Sequence, residues 1–327
     1  MPRADAAGPA GALLSRGRRG ARGAVPAGFL FLFWLLLLWP PGTGWAAAPA
    51  AGDTASGPSA IAISRGRYLV EAGGCAACHT DAKDHGQPFA GGRALKTPFG
   101  TFYTPNITPD RATGIGGWSD AQFLRALKQG IAPDGSYYYP AFPYPSFTRI
   151  RAADALDIKA YLFSLPPVRH ENRPHDLRFP FSLRPLLVFW RLLYFHPGDF
   201  HPDPARSAAW NRGAYLVIAL GHCGECHTPR TFLGGMKPAL FLAGTNKGPE
   251  GEIVPNLTPD RGTGLGDWGQ DDIVTLLKTG MKPDFDNVQG AMTEVIRGGL
   301  GQLDDSDLAA IATYLHALPP IRHKVGH

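Results

Sequence analysis

The sequence predicts an all-α protein built as two tandem units of one fold, joined and interrupted by Gly/Pro-rich loops. Three observations carry this. The chain repeats itself at a fixed offset. Its patterning holds helix start and stop signals and no convincing strand. The apolar face of each unit is too small to close a core by itself, so each unit must wrap something else.

The chain has 327 residues, room for two domains of ordinary size. Gly (41) and Pro (31) are both frequent, so ordered loop should outweigh long elements. Residues 65–70 read RGRYLV and residues 212–217 read RGAYLV. Residues 105–118 read PNITPDRATGIGGW and residues 255–268 read PNLTPDRGTGLGDW, with ten of fourteen positions identical at an offset of 150. Leu127-Lys128-Gln129-Gly130 matches Leu277-Lys278-Thr279-Gly280 at the same offset. Each copy closes with Tyr-Leu and then Leu-Pro-Pro, at residues 161–167 and 314–320. Two copies make two domains; a solenoid stacks more. The expected divisions are residues 62–168 and 207–322, with a linker at residues 169–206.

Each unit holds the same run of helices. Residues 65–72 predict a short helix. Ser119-Asp120-Ala121-Gln122 is a capping box for a second helix, with Phe123, Leu124 and Leu127 on one face and Gly130 as its stop. Its counterpart runs over about residues 269–280, with Ile273, Leu276 and Leu277 apolar. The last helices carry Ile158, Tyr161 and Leu162, or Leu308, Ile311, Tyr314 and Leu315, the latter with Asp304 as its expected N-cap.

The N-terminus reads as an export signal at residues 1–48, with an uncleaved anchor as the alternative. Five arginines precede a continuous apolar run of thirteen residues, 27–39, which suits a signal core and is short for a bilayer span. Pro40, Pro41 and Ala46-Ala47-Ala48 follow. The net charge of +5 is mostly this segment's: Arg3, Arg16, Arg18, Arg19 and Arg22 stand against Asp5 alone, leaving about +1 elsewhere. No basic patch is interleaved with aromatics, so nucleic acid is not an expected partner.

The four cysteines form two C-x-x-C pairs, which in an exported chain would first suggest disulfides. The next residue overrides that. Cys75-Ala76-Ala77-Cys78-His79 and Cys223-Gly224-Glu225-Cys226-His227 are both C-x-x-C-H, the attachment pattern of c-type haem. Two thiols one helical turn apart can each form a thioether to one edge of the porphyrin, and the following imidazole can take the proximal iron position. Zinc sites do not require a His after both pairs. The expected cofactors are therefore two covalently bound haems c, each the missing core of its unit, and the units read as two class I cytochrome c domains in tandem.

The sixth iron ligand separates the copies. A thioether is the usual partner of His in electron-transfer cytochromes. Met292 lies between the Lys278-Thr279-Gly280 helix end and the last helix, where a distal loop should bring a ligand, and it is the expected iron ligand beside His227; Met281 is the runner-up. The same offset maps Met292 onto Phe142, and the first unit has no methionine. Its iron is left with an open site, with His85, with Lys83, Lys96 or Lys128, with Tyr137, Tyr138, Tyr139 or Tyr144, or with Met236 or Met281 donated from the second unit. Trp118 and Trp268 are candidate indole donors to haem propionates, and Arg111 and Arg261 candidate guanidinium partners. The competing reading makes the whole Pro-Asn-x-Thr-Pro-Asp-Arg segment a shared turn scaffold. Asn106-Ile107-Thr108 and Asn256-Leu257-Thr258 match the glycosylation pattern, an expected accident.

Residues 169–210 are rich in Pro, His and Arg, with one apolar stretch, residues 186–195, broken only by Arg191. Pro185 suits its first helical turn. Ten residues cannot span a bilayer. The stretch reads as an interdomain helix or as a docking surface.

Residues 65–167, Pro180-Phe181-Ser182-Leu183-Arg184-Pro185, Trp210-Asn211-Arg212-Gly213-Ala214-Tyr215 and the run GHCGECHTPR at residues 221–230 resemble the cytochrome c subunit of membrane-bound bacterial alcohol and gluconate dehydrogenases. The resemblance covers nearly all of the chain beyond the export segment. It implies one-electron relay from a partner dehydrogenase subunit, flavin or quinoprotein, to quinone or another cytochrome, at the periplasmic face of the inner membrane. Family members usually carry three C-x-x-C-H sites and a Tyr-Pro-Ala-Met-Pro-Tyr run in the first domain; this sequence has two sites and Phe142 in that run. The rival reading is a dihaem enzyme, peroxidase-like or thiosulfate-oxidising, using an open iron in the first unit.

Overall fold

Helix α1 (Ala60–Ala72) begins earlier than residue 65, because the Oγ of Ser59 accepts from the Ala62 N–H at 3.1 Å and caps it. The computed structural model describes residues 58–326; the expected signal or anchor at residues 1–48 lies outside the described residues. After α1 come α2 (Cys75–His79), strands β1 (Ala94–Thr97) and β2 (Gly100–Tyr103), α3 (Asp120–Gln129), α4 (Tyr144–Phe147) and α5 (Ala152–Ser164). Strand β3 (Asp176–Leu177) and α6 (Leu187–Tyr194) follow. Then α7 (Ala208–Tyr215), α8 (Gly224–His227), α9 (Gln270–Thr279), α10 (Ala291–Gly298) and α11 (Asp305–His316) repeat the order of the first five helices. The chain is thus helix-rich rather than all-α. β1, β2 and β3 form an antiparallel sheet, with Leu95 opposite Phe102 and Gly100 opposite Leu177. These strands are too short to build an alternating pattern, which is why the sequence does not announce them.

In each half the first and last helices cross: α1 on α5, and α7 on α11. The repeated Arg-Gly pair explains how closely. A Cβ on Gly66 would stand 1.8 Å from the Asp157 carbonyl oxygen, and one on Gly213 would stand 1.9 Å from that of Ala310. Only glycine permits the contact. α7 runs on into a wider π turn at Leu216–Leu220, whose residues are almost wholly buried. The capping box of α3 forms as expected: Ser119 Oγ accepts from Gln122 N–H at 3.2 Å and Gln122 Oε1 from Ser119 N–H at 2.9 Å. Gly130 ends it in the left-handed region at φ 62°. Asp304 does stand at the N-cap of α11, but its side chain makes no capping bond; its N–H donates to the Tyr68 hydroxyl at 3.2 Å instead.

That last contact belongs to a reciprocal junction between the two repeats. Tyr68 from α1 donates to Asp307 Oδ2 at 2.6 Å, and Asp307 also takes Arg212 Nε at 2.8 Å and Nη2 at 2.6 Å. In mirror fashion Tyr215 from α7 donates to Asp154 Oδ2 at 2.6 Å, and Arg65 reaches Asp154 Oδ1 at 3.1 Å. Each half therefore lends one tyrosine to the other's acid, the self-complementary arrangement of a two-fold interface. Apolar residues of both halves, from Leu69 and Ile158 to Leu220 and Leu308, form one continuous buried cluster. Burial and the bond to Asp307 push the Tyr68 hydroxyl far up, and burial and the bond to Asp154 do the same to Tyr215. Burial opposes ionisation of Asp307, but its bonds to Arg212 and Tyr68 prevail and hold it below the ordinary carboxylate range.

The linker is stitched to the first half. β3 adds to the sheet, and Asn172 Oδ1 accepts from the Asn106 N–H at 2.7 Å. In α6, Leu187, Trp190, Arg191 and Tyr194 face inward, with the Arg191 guanidinium over the rings of Tyr137 and Phe195 at 4.5 Å from each. Its outward face is apolar throughout: Val188, Phe189, Leu192 and Leu193 are exposed.

Candidate functional site

Both C-x-x-C-H segments form short helical turns, α2 and the Cys223–His227 turn containing α8, each following the first helix of its half, α1 or α7 with its π turn. After each turn the chain makes the same excursion. The N–H of Gly91 donates to His79 O at 2.8 Å, and that of Gly244 to His227 O at 2.7 Å. Phe89 N–H donates to Thr80 Oγ1 at 3.2 Å, and Leu242 N–H to Thr228 Oγ1 at 3.0 Å. Phe89 and Leu242 both sit at φ 61°, a left-handed conformation that non-glycine residues seldom take. A Cβ on Gly91 would meet the Pro105 carbonyl carbon at 2.4 Å, and one on Gly244 the corresponding Pro255 at 2.7 Å. The glycines bring the Pro-Asn segment directly against the histidine.

The outcome is one hydrogen bond, made twice. His79 Nδ1 lies 2.8 Å from the Pro105 carbonyl oxygen, and His227 Nδ1 lies 2.9 Å from that of Pro255. A carbonyl only accepts, so Nδ1 carries the proton and Nε2 keeps its lone pair. Burial holds both imidazoles below their usual range, His227 to about 4, against the opposing pull of the carbonyl. They are neutral bases at physiological pH, the form that ligates iron.

The rest of the Pro-Asn-x-Thr-Pro-Asp segment holds that carbonyl in place. Asn106, 2% exposed, donates through Nδ2 to Thr113 Oγ1 at 3.0 Å and Val168 O at 2.7 Å, and accepts at Oδ1 from Thr108 N–H and Oγ1. Asn256 repeats this with Thr263, Ile321 O and Thr258. Asp110 and Asp260 each accept from the N–H and Oγ1 of the threonine three residues on. The segment is a turn scaffold, and the buried Asn106 and Asn256 are no glycan acceptors. Arg111 and Arg261 stand exposed outside it, Arg261 at 3.7 Å from Asp267, while Trp118 and Trp268 pack half-buried against the core.

The four cysteines are free thiols. Their surroundings push Cys75 and Cys223 up to about 12 and Cys226 to about 11, burial being the first cause. Uncharged sulfurs at one-turn spacing, beside a histidine with its Nε2 unengaged, fit a porphyrin edge and an iron ligand. Among the described residues no three or more Cys, His, Asp or Glu side chains are gathered to share a metal ion. The residues present therefore fit a covalently attached haem at both turns.

The two turns abut. A Cβ on Gly73, two residues before Cys75, would be 3.8 Å from the Leu220 carbonyl oxygen, three residues before Cys223. The His222 ring packs edge-on against Phe147 at 5.3 Å, and Ser146 Oγ donates to Glu225 Oε1 at 2.6 Å. Arg230 closes on Glu225 Oε2 at 2.5 Å. From the other side α10 packs beside α2, and Arg93 joins Glu294 at 2.6 Å while bonding Ala77 O.

Met292 lies on α10, half-buried against the core, and Phe142 packs against the same core in the first half. Met281 is exposed on the turn bridging to Asn287, and Met236 is held in a bridge to Arg230. Lys83, His85 and Lys96 are exposed. Lys128 bonds Ile150 O and Asp199, Tyr139 packs with Phe102 and Leu187, and Tyr144 packs against Trp190 and Phe195. Tyr138 alone of the tyrosines is paired with Phe142, edge-on at 5.7 Å. Sequence reasoning missed Asn106, Asn256, His222 and the Ser146–Glu225–Arg230 chain. The repeat pointed to the two asparagines, and it extends to RH at residues 169–170 and 322–323, where His170 and His323 each contact a backbone carbonyl through Nδ1 at 2.9 Å.

Comparison with known proteins supplies the family. Residues 63–166 match the family model Cytochrome c. The chain is 44% identical over 267 residues to a "Diheme cytochrome c-type" protein of Cereibacter sphaeroides, covering 79% of this chain and 86% of that protein. It is 41% identical over 292 residues to the alcohol dehydrogenase (quinone) cytochrome c subunit of Gluconacetobacter polyoxogenes, covering 86% of this chain and 61% of the relative. It is 44% identical over 272 residues to a nicotinate dehydrogenase subunit of Pseudomonas putida, covering 83% of this chain and only 22% of that relative. The chain thus spans about three-fifths of the alcohol dehydrogenase subunit and about a fifth of the nicotinate dehydrogenase one. With this degree of likeness the chain belongs to the cytochrome c family, related to a dihaem c-type cytochrome and to the cytochrome c subunits of dehydrogenases.

Proposed function

We propose that this chain is an exported electron relay with two covalently bound haems c, one in each of two tandem class I cytochrome c domains at residues 62–168 and 207–322. Cys75 and Cys78, and Cys223 and Cys226, make the thioethers; His79 and His227 are the proximal ligands, and Met292 completes the second site. Each haem, when bound, supplies an iron that changes by one electron at a potential set by its axial ligands and burial. The chain's own residues fix that setting. Pro105 and Pro255 orient the imidazoles and keep Nε2 free, and the asparagine networks hold the prolines.

The observation that carries the reading is the pair of matched His–carbonyl locks on two turns that abut, at Gly73 and Leu220, across the junction of the repeats. Electron relay through a chain needs neighbouring sites, and this contact supports it. The proposed donor is a flavin or quinoprotein dehydrogenase subunit and the acceptor quinone or another cytochrome, in keeping with relatives that are dehydrogenase cytochrome subunits. The proposed location is the periplasmic face of the inner membrane, after export by the segment at residues 1–48. The outward apolar face of α6 supports attachment there. No helix among the described residues is long and apolar enough to cross a membrane.

The test is production of the full chain with a periplasmic haem-attachment system, followed by intact mass and haem quantitation. Two haems per chain are expected, one after His79→Ala or Cys75→Ala together with Cys78→Ala. Stopped-flow mixing with a reduced dehydrogenase should reduce both haems. A protein with no covalent haem, or one that no dehydrogenase reduces, would overturn the proposal.

A further inference from the structure

The two halves match in every element that holds the proximal histidine and differ on the other side. In the second half the residue at the ligand position is Met292, and the residue four before it is Val288. In the first half these are Phe142 and Tyr138. The substitutions come as a pair, and the structure keeps them as a pair. The Tyr138 ring meets the Phe142 ring edge-on at 5.7 Å, and Phe142 in turn meets Phe147 at 5.7 Å. The Tyr138 hydroxyl makes no hydrogen bond among the described residues, although the ring is half-buried. Of the alternatives, Lys128 bonds Ile150 and Asp199, Tyr137 and Tyr139 pack with Phe102 and Leu187, Tyr144 packs against Trp190 and Phe195 with its buried hydroxyl unbonded, and Lys83, His85 and Lys96 lie at the surface.

We propose that the first site binds a small exogenous inorganic ligand of haem iron, and that Tyr138 donates a hydrogen bond to it beside Phe142. This rests on the reading of the first C-x-x-C-H turn as a haem site. Phenylalanine offers the iron no lone pair, so the sixth position has no thioether. The Tyr138 ring stands against Phe142, so its hydroxyl is then the polar group at hand beside that position. Burial, with Asp134 nearby and Arg184 opposing, pushes Tyr138 up to about 12, so the hydroxyl stays protonated and acts as a donor. Val288 in the second half could do neither. The site that keeps its thioether needs no such donor.

The test uses the full chain carrying both haems, counted by haem quantitation and mass before any ligand is added. Carbon monoxide is the probe for the ferrous protein and cyanide for the ferric. Wild type is expected to bind one carbon monoxide per two haems. Phe142→Met should abolish that binding by supplying the missing thioether. Tyr138→Phe should keep the stoichiometry, weaken cyanide by about five- to tenfold, the effect of one hydrogen bond, and raise the C–O stretching frequency. Wild type with two haems that binds no carbon monoxide would overturn the inference and leave the relay reading standing. A Tyr138→Phe protein with unchanged cyanide affinity and stretch would overturn the role of Tyr138. A chain without a haem at the first turn would instead overturn the reading on which the inference rests.

Discussion

Asp307→Asn is the most informative single change at the junction of the repeats. It keeps the side-chain volume and removes the charge on which three bonds converge, from Arg212 Nε at 2.8 Å, Arg212 Nη2 at 2.6 Å and Tyr68 Oη at 2.6 Å. Hydrogen bonds to a charged group contribute roughly 1.5–3 kcal/mol net. The Arg212 side chain is 34% exposed, so its share is reduced by solvent screening. Together these give a loss of about 2–4 kcal/mol, or a fall of about 5–10 °C in Tm for a protein of this size. Asp154→Asn at the mirror position should cost less, because its cation, Arg65, is 58% exposed. The assay is urea unfolding of the haem-loaded chain, comparing midpoints at constant m. The contribution also has a pH signature. The folded carboxyl of Asp307 titrates below its unfolded value, so its stabilisation is full above about pH 4 and fades as pH falls through the folded pKa. Wild type should lose it in acid while Asp307→Asn shows no such term. An Asp307→Asn protein within about 0.5 kcal/mol of wild type would refute the reasoning, since surface substitutions without a structural role already scatter that much.

Gly213→Ala should destabilise by about 1–3 kcal/mol, since a Cβ there would lie 1.9 Å from the Ala310 carbonyl oxygen; Gly66→Ala should behave alike, and thermal unfolding reads both. Asn256→Ala removes the bonds to Thr263, Ile321 and Thr258, and is expected to cost about 2–3 kcal/mol and to broaden the ligand-field spectrum of the second site, whose Pro255 carbonyl it frees. Met292→Phe should turn the second site into a likeness of the first, lower its midpoint potential in a redox titration and double the carbon monoxide bound per chain. Val288→Phe, which leaves Met292 in place, should leave that stoichiometry unchanged.

The repeat made the helix order legible, and with it the positions of α3, α9, α11 and both attachment turns, because capping boxes, C′ glycines and C-x-x-C-H are local signals. The three-stranded sheet was not legible. Its strands are short, and β3 comes from the segment read as a linker, so the pairing depends on contacts some 75 residues apart along the chain that no local pattern encodes. Arg111 and Arg261 illustrate the other limit. Their recurrence marked a shared unit, but they lie exposed while the neighbouring Asn106 and Asn256, which merely looked like glycosylation sites, are the buried residues that hold the proline carbonyls.

By itself the sequence determined the inventory of reactive groups: two pairs of thiols at one-turn spacing, each followed by an imidazole, with Met292 in one repeat and Phe142 at the matching position of the other. Those facts are covalent and local, and they survive any folding. Only the tertiary structure decided which nitrogen of each histidine is free, how the two turns meet at Gly73 and Leu220, and that Tyr138 and not His85 or a lysine accompanies Phe142. Those depend on where distant segments pack, and packing is set by the whole of the buried surface.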